Sequence, residues 1–179
     1  MRDMSAEICA AGEAAVAEYK EVSGLDVEDQ YREVYLSCAM ARHLHRSLKL
    51  NAKVERYYYQ LAEKDLRLTL PASESKRLEG LRADIVLYQS DVPVAIIEVK
   101  KFAEGSQATM IRDDLEKAGV LKDHVPVYVA VLVCETSSQR LLGRIQELKN
   151  TVSPRLHVGD PHESSSGGWK WCFGCVSAA

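Results

Sequence analysis

The chain has 179 residues, of which 46% are hydrophobic and 27% charged, a composition typical of one globular domain with a two-layer core. Uncharged apolar runs such as residues 125–134 are far shorter than the roughly 18 to 20 residues that span a bilayer, and the first five residues lack the apolar segment of a secretory signal. We therefore expect a cytoplasmic protein with no membrane partner. The net charge of −3 is compatible with a nucleic-acid partner, because such binding needs only a local basic surface.

The N-terminal part of the chain is predicted to form two helices. Residues 5–22 are rich in Ala and Glu, and Gly24 follows as a stop signal. In residues 27–48, apolar side chains recur at the spacing of one helical face. On a helical wheel Glu28 lies beside this apolar stripe and Glu33 falls well round the other side, so Glu28 is the residue expected to face inward.

The next segment is predicted to form a hairpin. Residues 53–61 are rich in Val and Tyr, and residues 66–70 alternate Leu with polar side chains, which favours two strands joined by a turn at 62–65 and followed by a polar loop at 71–80. Three consecutive tyrosines occupy positions 57–59. Core packing is favoured for them over base stacking, because an alternating strand points at least one ring inward.

The rest of the core is predicted to alternate strands and helices. The first two strands are rich in β-branched residues and are separated by a turn-like gap. The elements follow in the order strand, strand, helix, strand, helix and candidate last strand, at residues 81–88, 93–101, 106–118, 125–134, 137–149 and 169–176. We expect a single domain, 1–179, with a helical extension at 1–23, a core at 24–150 and a C-terminal extension at 151–179 that holds the last strand.

The first two of these strands bring charged side chains together. If the hairpin is symmetric about Asp91, Asp84 lies opposite Glu98 and Arg82 lies opposite Lys100. Buried carboxylates are costly unless a positive charge compensates, and a hard divalent cation bound by oxygen ligands is a common solution. An amine beside them can orient a water or help to deprotonate it, and metal, carboxylates and amine together are the set that phosphodiester hydrolysis requires. The alternative is a plain cross-strand ion pair at the end of a sheet.

The segment RADIVLY at residues 82–88, followed by PVAIIEVKK at 93–101, resembles the core of the PD-(D/E)XK nuclease superfamily and is especially similar to the nuclease module of type I restriction motor subunits. The resemblance implies an α/β, restriction-endonuclease-like fold, with an αβββαβ core and a mixed sheet of four to five strands flanked by helices. It also implies that Asp84, Glu98 and the backbone carbonyl of Val99 bind Mg²⁺, for which Mn²⁺ can substitute, and that Lys100 positions the attacking water.

Two further site residues follow from the same resemblance. Many members add a Glu from the first core helix, and Gly24, Glu28 and Tyr31 are similar to the Gly-x-x-Glu-x-x-Tyr pattern of small nuclease-like proteins, with a spacing one residue longer. This implies Glu28 as a metal ligand. Gln107, early in the next helix, matches a polar residue that some branches place near the site. The sequence departs from the pattern at Ala83, where Pro often precedes the motif Asp.

The function implied is a Mg²⁺-dependent nuclease that hydrolyses DNA phosphodiester bonds in defence by restriction or in repair. Two alternatives stay open: RNA as the substrate, and a catalytically silent nuclease-fold protein that binds within a larger complex. A homodimer or a larger restriction or repair complex is expected, since a chain this small needs a partner to cut both strands. Basic side chains are candidates for phosphate contacts, namely Arg82, Lys101, Lys76 and Arg77.

The cysteines do not form a recognisable disulfide framework. They are five in number and scattered, so buried free thiols are expected. Cys172-x-x-Cys175 suggests zinc as the alternative, but a structural zinc site needs two further ligands, for which His157 and His162 are the candidates.

Overall fold

A computed structural model describes residues 3–24, 26, 33–103, 105–165 and 167–178. The helices are α1 (Met4–Ser23), α2 (Glu33–Leu48), α3 (Tyr58–Gln60, continued by a π-helical turn at Leu61–Asp65), α4 (Ala72–Leu78), α5 (Ala108–Ala118, followed by a 3-10 turn at Gly119–Leu121) and α6 (Ser138–Thr151). The strands are β1 (Asn51–Tyr57), β2 (Arg82–Gln89), β3 (Val92–Phe102), β4 (Val127–Glu135), β5 (His157–Val158), β6 (His162–Glu163) and β7 (Lys170–Ser177). Within these ranges no helix is long and apolar enough to cross a membrane.

The strands form one mixed sheet with the order β1-β2-β3-β4-β7-β5, and β6 also pairs with β7. Strands β3 and β4 are parallel, and the other neighbours are antiparallel. The predicted α/β class is confirmed. The expected four to five strands correspond to the five longer ones, and the two-residue strands β5 and β6 extend the sheet in a segment predicted to be polar tail. The candidate last strand at 169–176 is confirmed as β7, which pairs with β4.

Helices cover both faces of the sheet. On one face, α1 and α2 pack with the β3 side chains of Ala95, Ile97 and Val99 in a single buried cluster. On the other face, α3 packs over Ile96, while α5 and α6 cover Val131 and its neighbours on β4. This alternation is that of a strand buried on both sides, and it leaves Glu98 and Lys100 on the same face as Ile96.

Helix α1 packs against the sheet and contributes to the core. Asp3 caps the helix by accepting a hydrogen bond from the Ser5 backbone N–H at 3.0 Å, and Gly24, with a left-handed φ of 71°, ends it as predicted. Gly12 lies against the ring of Phe173 on β7, so closely that a Cβ atom there would be 2.5 Å from a ring carbon. A glycine is therefore what lets the helix approach the strand.

The prediction for residues 58–80 was wrong. Strand β1 ends at Tyr57, and the chain then turns through α3 over the sheet face, where Leu61 and Ala62 are buried. The alternating leucines at 66, 68 and 70 all pack against this same cluster from an irregular segment, so they do not mark a strand. The expected polar loop contains α4, which buries Leu78 against the same group of side chains.

Candidate functional site

The register of the β2–β3 hairpin agrees with the prediction up to its turn. Ile85 pairs with Ile97, Val86 with Ile96 and Leu87 with Ala95, as symmetry about Asp91 requires. A bulge after Leu87 then places Ser90 and Asp91 in a two-residue turn, both with left-handed φ, as a type I′ turn needs. Continued inward, this register brings Asp84 opposite Glu98.

Beyond the Ile85–Ile97 pair, side-chain hydrogen bonds fix the two carboxylates. The Asp84 Oδ2 atom accepts a hydrogen bond from the Val99 backbone N–H at 2.7 Å. The carboxylate thus takes the place of the backbone carbonyl that a paired strand would otherwise supply. On the other strand, the Tyr58 hydroxyl donates to Glu98 Oε1 at 2.5 Å. Tyr58 is 3% exposed and Glu98 7% exposed, so both carboxylates are fixed by buried donors.

The two carboxylates do not readily ionise together. Burial, and then the charge of Asp84, raise the pKa of Glu98 from its ordinary 4.5 to about 8, although Tyr58 and Lys100 act in the opposite direction. Burial also raises the pKa of Asp84, against the effect of the Val99 N–H and Lys100. When both carboxylates are ionised, their negative charge exceeds the positive charge of Lys100, and a bound cation would compensate it.

Lys100 follows on the same face and is held by two further carboxylates. Its Nζ atom is 3.8 Å from Glu33 Oε2 and 3.6 Å from Asp114 Oδ2. Burial alone would lower the pKa of Lys100, but the charges of Glu33 and Asp114 and of the carboxylate pair outweigh it, and the pKa is raised. The amine therefore stays protonated, which suits a role in orienting and stabilising charge and not a role as a base.

Glu98 and Lys100 open on a cleft of about 150 Å³, whose lining does not include Asp84 or Glu33. It lies between α3, the start of β2 and α5, and its walls are both charged and apolar. Lining side chains include Tyr58, Leu81, Arg82, Glu98, Lys100, Asp114 and Lys117. The cleft thus connects solvent to the carboxylate that is most deeply buried.

A glutamate of helix α2, Glu33, reaches the site. Glu33, in the first turn of α2, accepts a hydrogen bond from the Lys101 backbone N–H at 3.1 Å besides facing Lys100. The helical wheel had placed it away from the core. Glu28 and Tyr31 lie outside the described residues, so the prediction for Glu28 stays a prediction.

Gln107, the residue predicted from the next helix, is not the residue that contacts Lys100. Gln107 is the exposed N-cap residue of α5 and makes no side-chain capping bond. Asp114, seven residues later, lies two turns along the helix and contacts Lys100 instead. Asp114 was not predicted from the sequence, although the helical spacing from Gln107 could have identified it. At least one inward-facing tyrosine was expected among residues 57–59, and Tyr58 is that residue.

Of the basic candidates, Arg82 alone is among the cleft-lining residues of the described chain. Lys101 continues β3 beyond Lys100 with a half-buried side chain. Lys76 and Arg77 are exposed on α4, and the cleft lining does not include them.

The cysteine-rich tail does not form a metal centre in the part of the chain that the structure describes. There, no group of three or more His, Cys, Asp or Glu side chains is placed to hold a metal ion. Cys172 and Cys175 are buried in β7 as free thiols, and burial raises the pKa of Cys172 to about 12. His162 stacks on Trp171 with ring centroids 4.4 Å apart, so these residues belong to packing.

Compared with known proteins, the chain matches no protein-family model, no curated protein and no solved structure.

Proposed function

We propose that this protein is a Mg²⁺-dependent nuclease of the restriction-endonuclease-like fold that hydrolyses phosphodiester bonds in DNA. The observation that carries the proposal is a pair of interacting carboxylates on neighbouring strands, the buried Glu98 and the half-buried Asp84, with Lys100 beside them. A purely structural ion pair would need one carboxylate and one amine, whereas this face carries an excess of negative charge.

The residues present fit a hard divalent cation. Asp84 and Glu98 would hold it, with the Val99 backbone carbonyl as a third oxygen donor, and Glu28 is a further candidate. Two carboxylates with raised pKa, fixed by Val99 N–H and Tyr58, are a preorganised but under-neutralised pair of oxygen ligands. When bound there, Mg²⁺ would neutralise charge that develops on the phosphate and acidify a water.

The side chains around the pair have separable tasks in this proposal. Tyr58 fixes the orientation of Glu98, and Glu33 and Asp114 hold the Lys100 amine at the cleft. Protonated Lys100 donates to the attacking water and stabilises the negative charge of the transition state. Arg82, which lines the cleft, contacts the phosphates of the substrate there.

The order of elements also supports the fold assignment. Helix α2 is followed by β1, β2 and β3 as an antiparallel meander, then by α5 and by β4, which lies parallel to β3. This is the succession of an αβββαβ core, and the proposed site lies where β2 and β3 separate.

The test is a cleavage assay with single- and double-stranded DNA and RNA in Mg²⁺ and in EDTA. Wild-type protein should cut in Mg²⁺ only, and Glu98→Ala and Lys100→Ala should lose cleavage while remaining folded. Lys149→Ala, at the far end of α6, is the matched control and should cut like the wild type. A folded wild type that cuts none of these substrates would refute the nuclease proposal and favour a binding role without turnover.

A further inference from the structure

Two tyrosines and Arg82 form a row of planar side chains beside the cleft, and the tyrosines have no role in the proposed chemistry. Tyr57 is the last residue of β1, Tyr59 lies in α3, and Arg82 begins β2 directly opposite Tyr57. The ring centroids of the two tyrosines are 5.5 Å apart, and the Arg82 guanidinium carbon is 4.5 Å from the centroid of the Tyr57 ring. We refer to Tyr57, Tyr59 and Arg82 as the planar row.

The planar row is not part of the core. Tyr58, between its two rings in the sequence, is buried and belongs to the cluster under α3. Tyr57 and Tyr59 are partly exposed and belong to none of the buried clusters of the described chain. The Arg82 side chain is 48% exposed. Core packing, expected for the tyrosines from sequence, therefore holds for the middle one only.

The row is held in place and lies next to the proposed chemistry. Arg82 donates from Nη2 to the Tyr57 hydroxyl at 2.5 Å and from Nη1 to Glu55 Oε2 at 3.3 Å, which fixes the guanidinium over the ring. Arg82 also lines the cleft together with Glu98. A strand whose phosphate enters the cleft would therefore place its neighbouring bases at the row.

We propose that the planar row stacks on unpaired bases and that the substrate is single-stranded nucleic acid, an inference that rests on the proposed nuclease function. Aromatic rings and guanidinium planes stack on exposed base faces, and they do so without regard to base identity. In a continuous duplex both faces of each base are covered by neighbouring bases, so a duplex offers the row nothing to stack on.

The charge distribution supports stacking as the source of affinity. The chain has a net charge of −3, and four carboxylates, those of Glu33, Asp84, Glu98 and Asp114, lie at or near Lys100. Phosphate contacts alone are weak on such a surface. Stacking is less sensitive to salt than ion pairing, so single-strand binding should weaken less with salt than binding through phosphate contacts alone would.

The test is binding without cleavage, measured by fluorescence anisotropy in EDTA with a labelled single strand and the corresponding duplex, in DNA and RNA versions. Wild-type protein should bind the single strand at least roughly 10-fold more tightly than the duplex, and Tyr57→Leu or Tyr59→Leu should each weaken single-strand binding roughly 5-fold or more. Tyr59→Phe, which restores the ring and leaves the Arg82–Tyr57 hydrogen bond intact, should recover most of the loss. Arg82→Lys, which keeps the charge without the plane, should behave like the Leu variants.

Equal binding of single strand and duplex, no binding of either, or equal losses in Tyr59→Leu and Tyr59→Phe would overturn the inference. Circular dichroism verifies that each variant is folded. If Tyr57→Leu does not fold, Tyr59→Leu alone tests the contribution of the rings. Because the assay contains no Mg²⁺, the two proposals fail separately. Single-strand binding without any cleavage in Mg²⁺ would support the planar row and refute the nuclease, whereas duplex cleavage that Tyr59→Leu leaves unchanged would overturn the row alone. Comparison of the DNA and RNA strands shows whether the protein prefers deoxyribose or ribose.

Discussion

Replacing Glu98 with Gln is predicted to stabilise the metal-free protein at alkaline pH. The neutral amide keeps an oxygen that can accept from the Tyr58 hydroxyl and removes the negative charge facing Asp84. Glu98 in the unfolded chain ionises near 4.5 and in the folded protein near 8. Between these values the unfolded chain has released a proton that the folded protein retains, so wild-type stability falls as pH rises from about 4.5 to 8.

Each tenfold difference in proton affinity corresponds to about 1.4 kcal/mol, so ionising Glu98 between pH 5 and pH 8 costs on the order of 3 kcal/mol of stability. Glu98→Gln does not incur this cost. In EDTA its advantage over the wild type should therefore be larger at pH 8 than at pH 5 by a similar amount, or roughly 6 to 12 °C in Tm for a chain of this length. Denaturant unfolding at both pH values measures this difference.

The metal provides an internal control. Addition of Mg²⁺ at pH 8 should stabilise the wild type by mass action and leave Glu98→Gln unchanged. Parallel pH dependences for the two proteins in EDTA would show that Glu98 ionises normally in the fold, and the argument from an under-neutralised carboxylate pair would then be refuted.

Two structural predictions concern parts of the chain remote from the carboxylate pair. Gly12→Ala should destabilise the protein by about 1 to 3 kcal/mol, because its Cβ would overlap the Phe173 ring. Gly143→Ala in α6, where a Cβ has open space, should be neutral or stabilising by up to about 1 kcal/mol. Equal stabilities of the two variants in urea unfolding would contradict this prediction. Arg144→Leu should cost about 3 kcal/mol, because it leaves the buried Glu135 carboxylate without its partner at 3.0 Å; unchanged thermal unfolding would show that the pair is not stabilising.

The central hairpin was predictable because its constraints are local. Strands β2 and β3 each have an apolar middle, at residues 85–88 and 93–97, and are joined by a short polar turn. Period-2 alternation and the position of Asp91 therefore fix which side chains face each other. The bulge after Leu87 shifted only the pairs next to the turn. The pairs up to Ile85 and Ile97 keep the predicted register, and the Asp84 and Glu98 side chains just beyond them interact.

The parts that were not predictable depend on tertiary contacts. The leucines at 66, 68 and 70 have the spacing of a strand, but they lie beyond a helical turn that covers the sheet. A helical wheel ranks residues by the apolar stripe, and it cannot show that Glu33, at the start of α2, reaches the end of β3. Likewise the two-residue strands β5 and β6 exist only because β7 is there to pair with them.

The most direct test of the central claim is a calorimetric titration of Mg²⁺ into the folded, metal-free protein near pH 8, with Asp84→Asn and Glu98→Gln alongside and Lys149→Ala as the control. If the facing carboxylates are a metal site, the wild type and Lys149→Ala should bind one equivalent with the same affinity, and binding should be lost or strongly weakened in both carboxylate variants. A folded wild type that binds no Mg²⁺, or carboxylate variants that bind it as well as the wild type, would contradict the account.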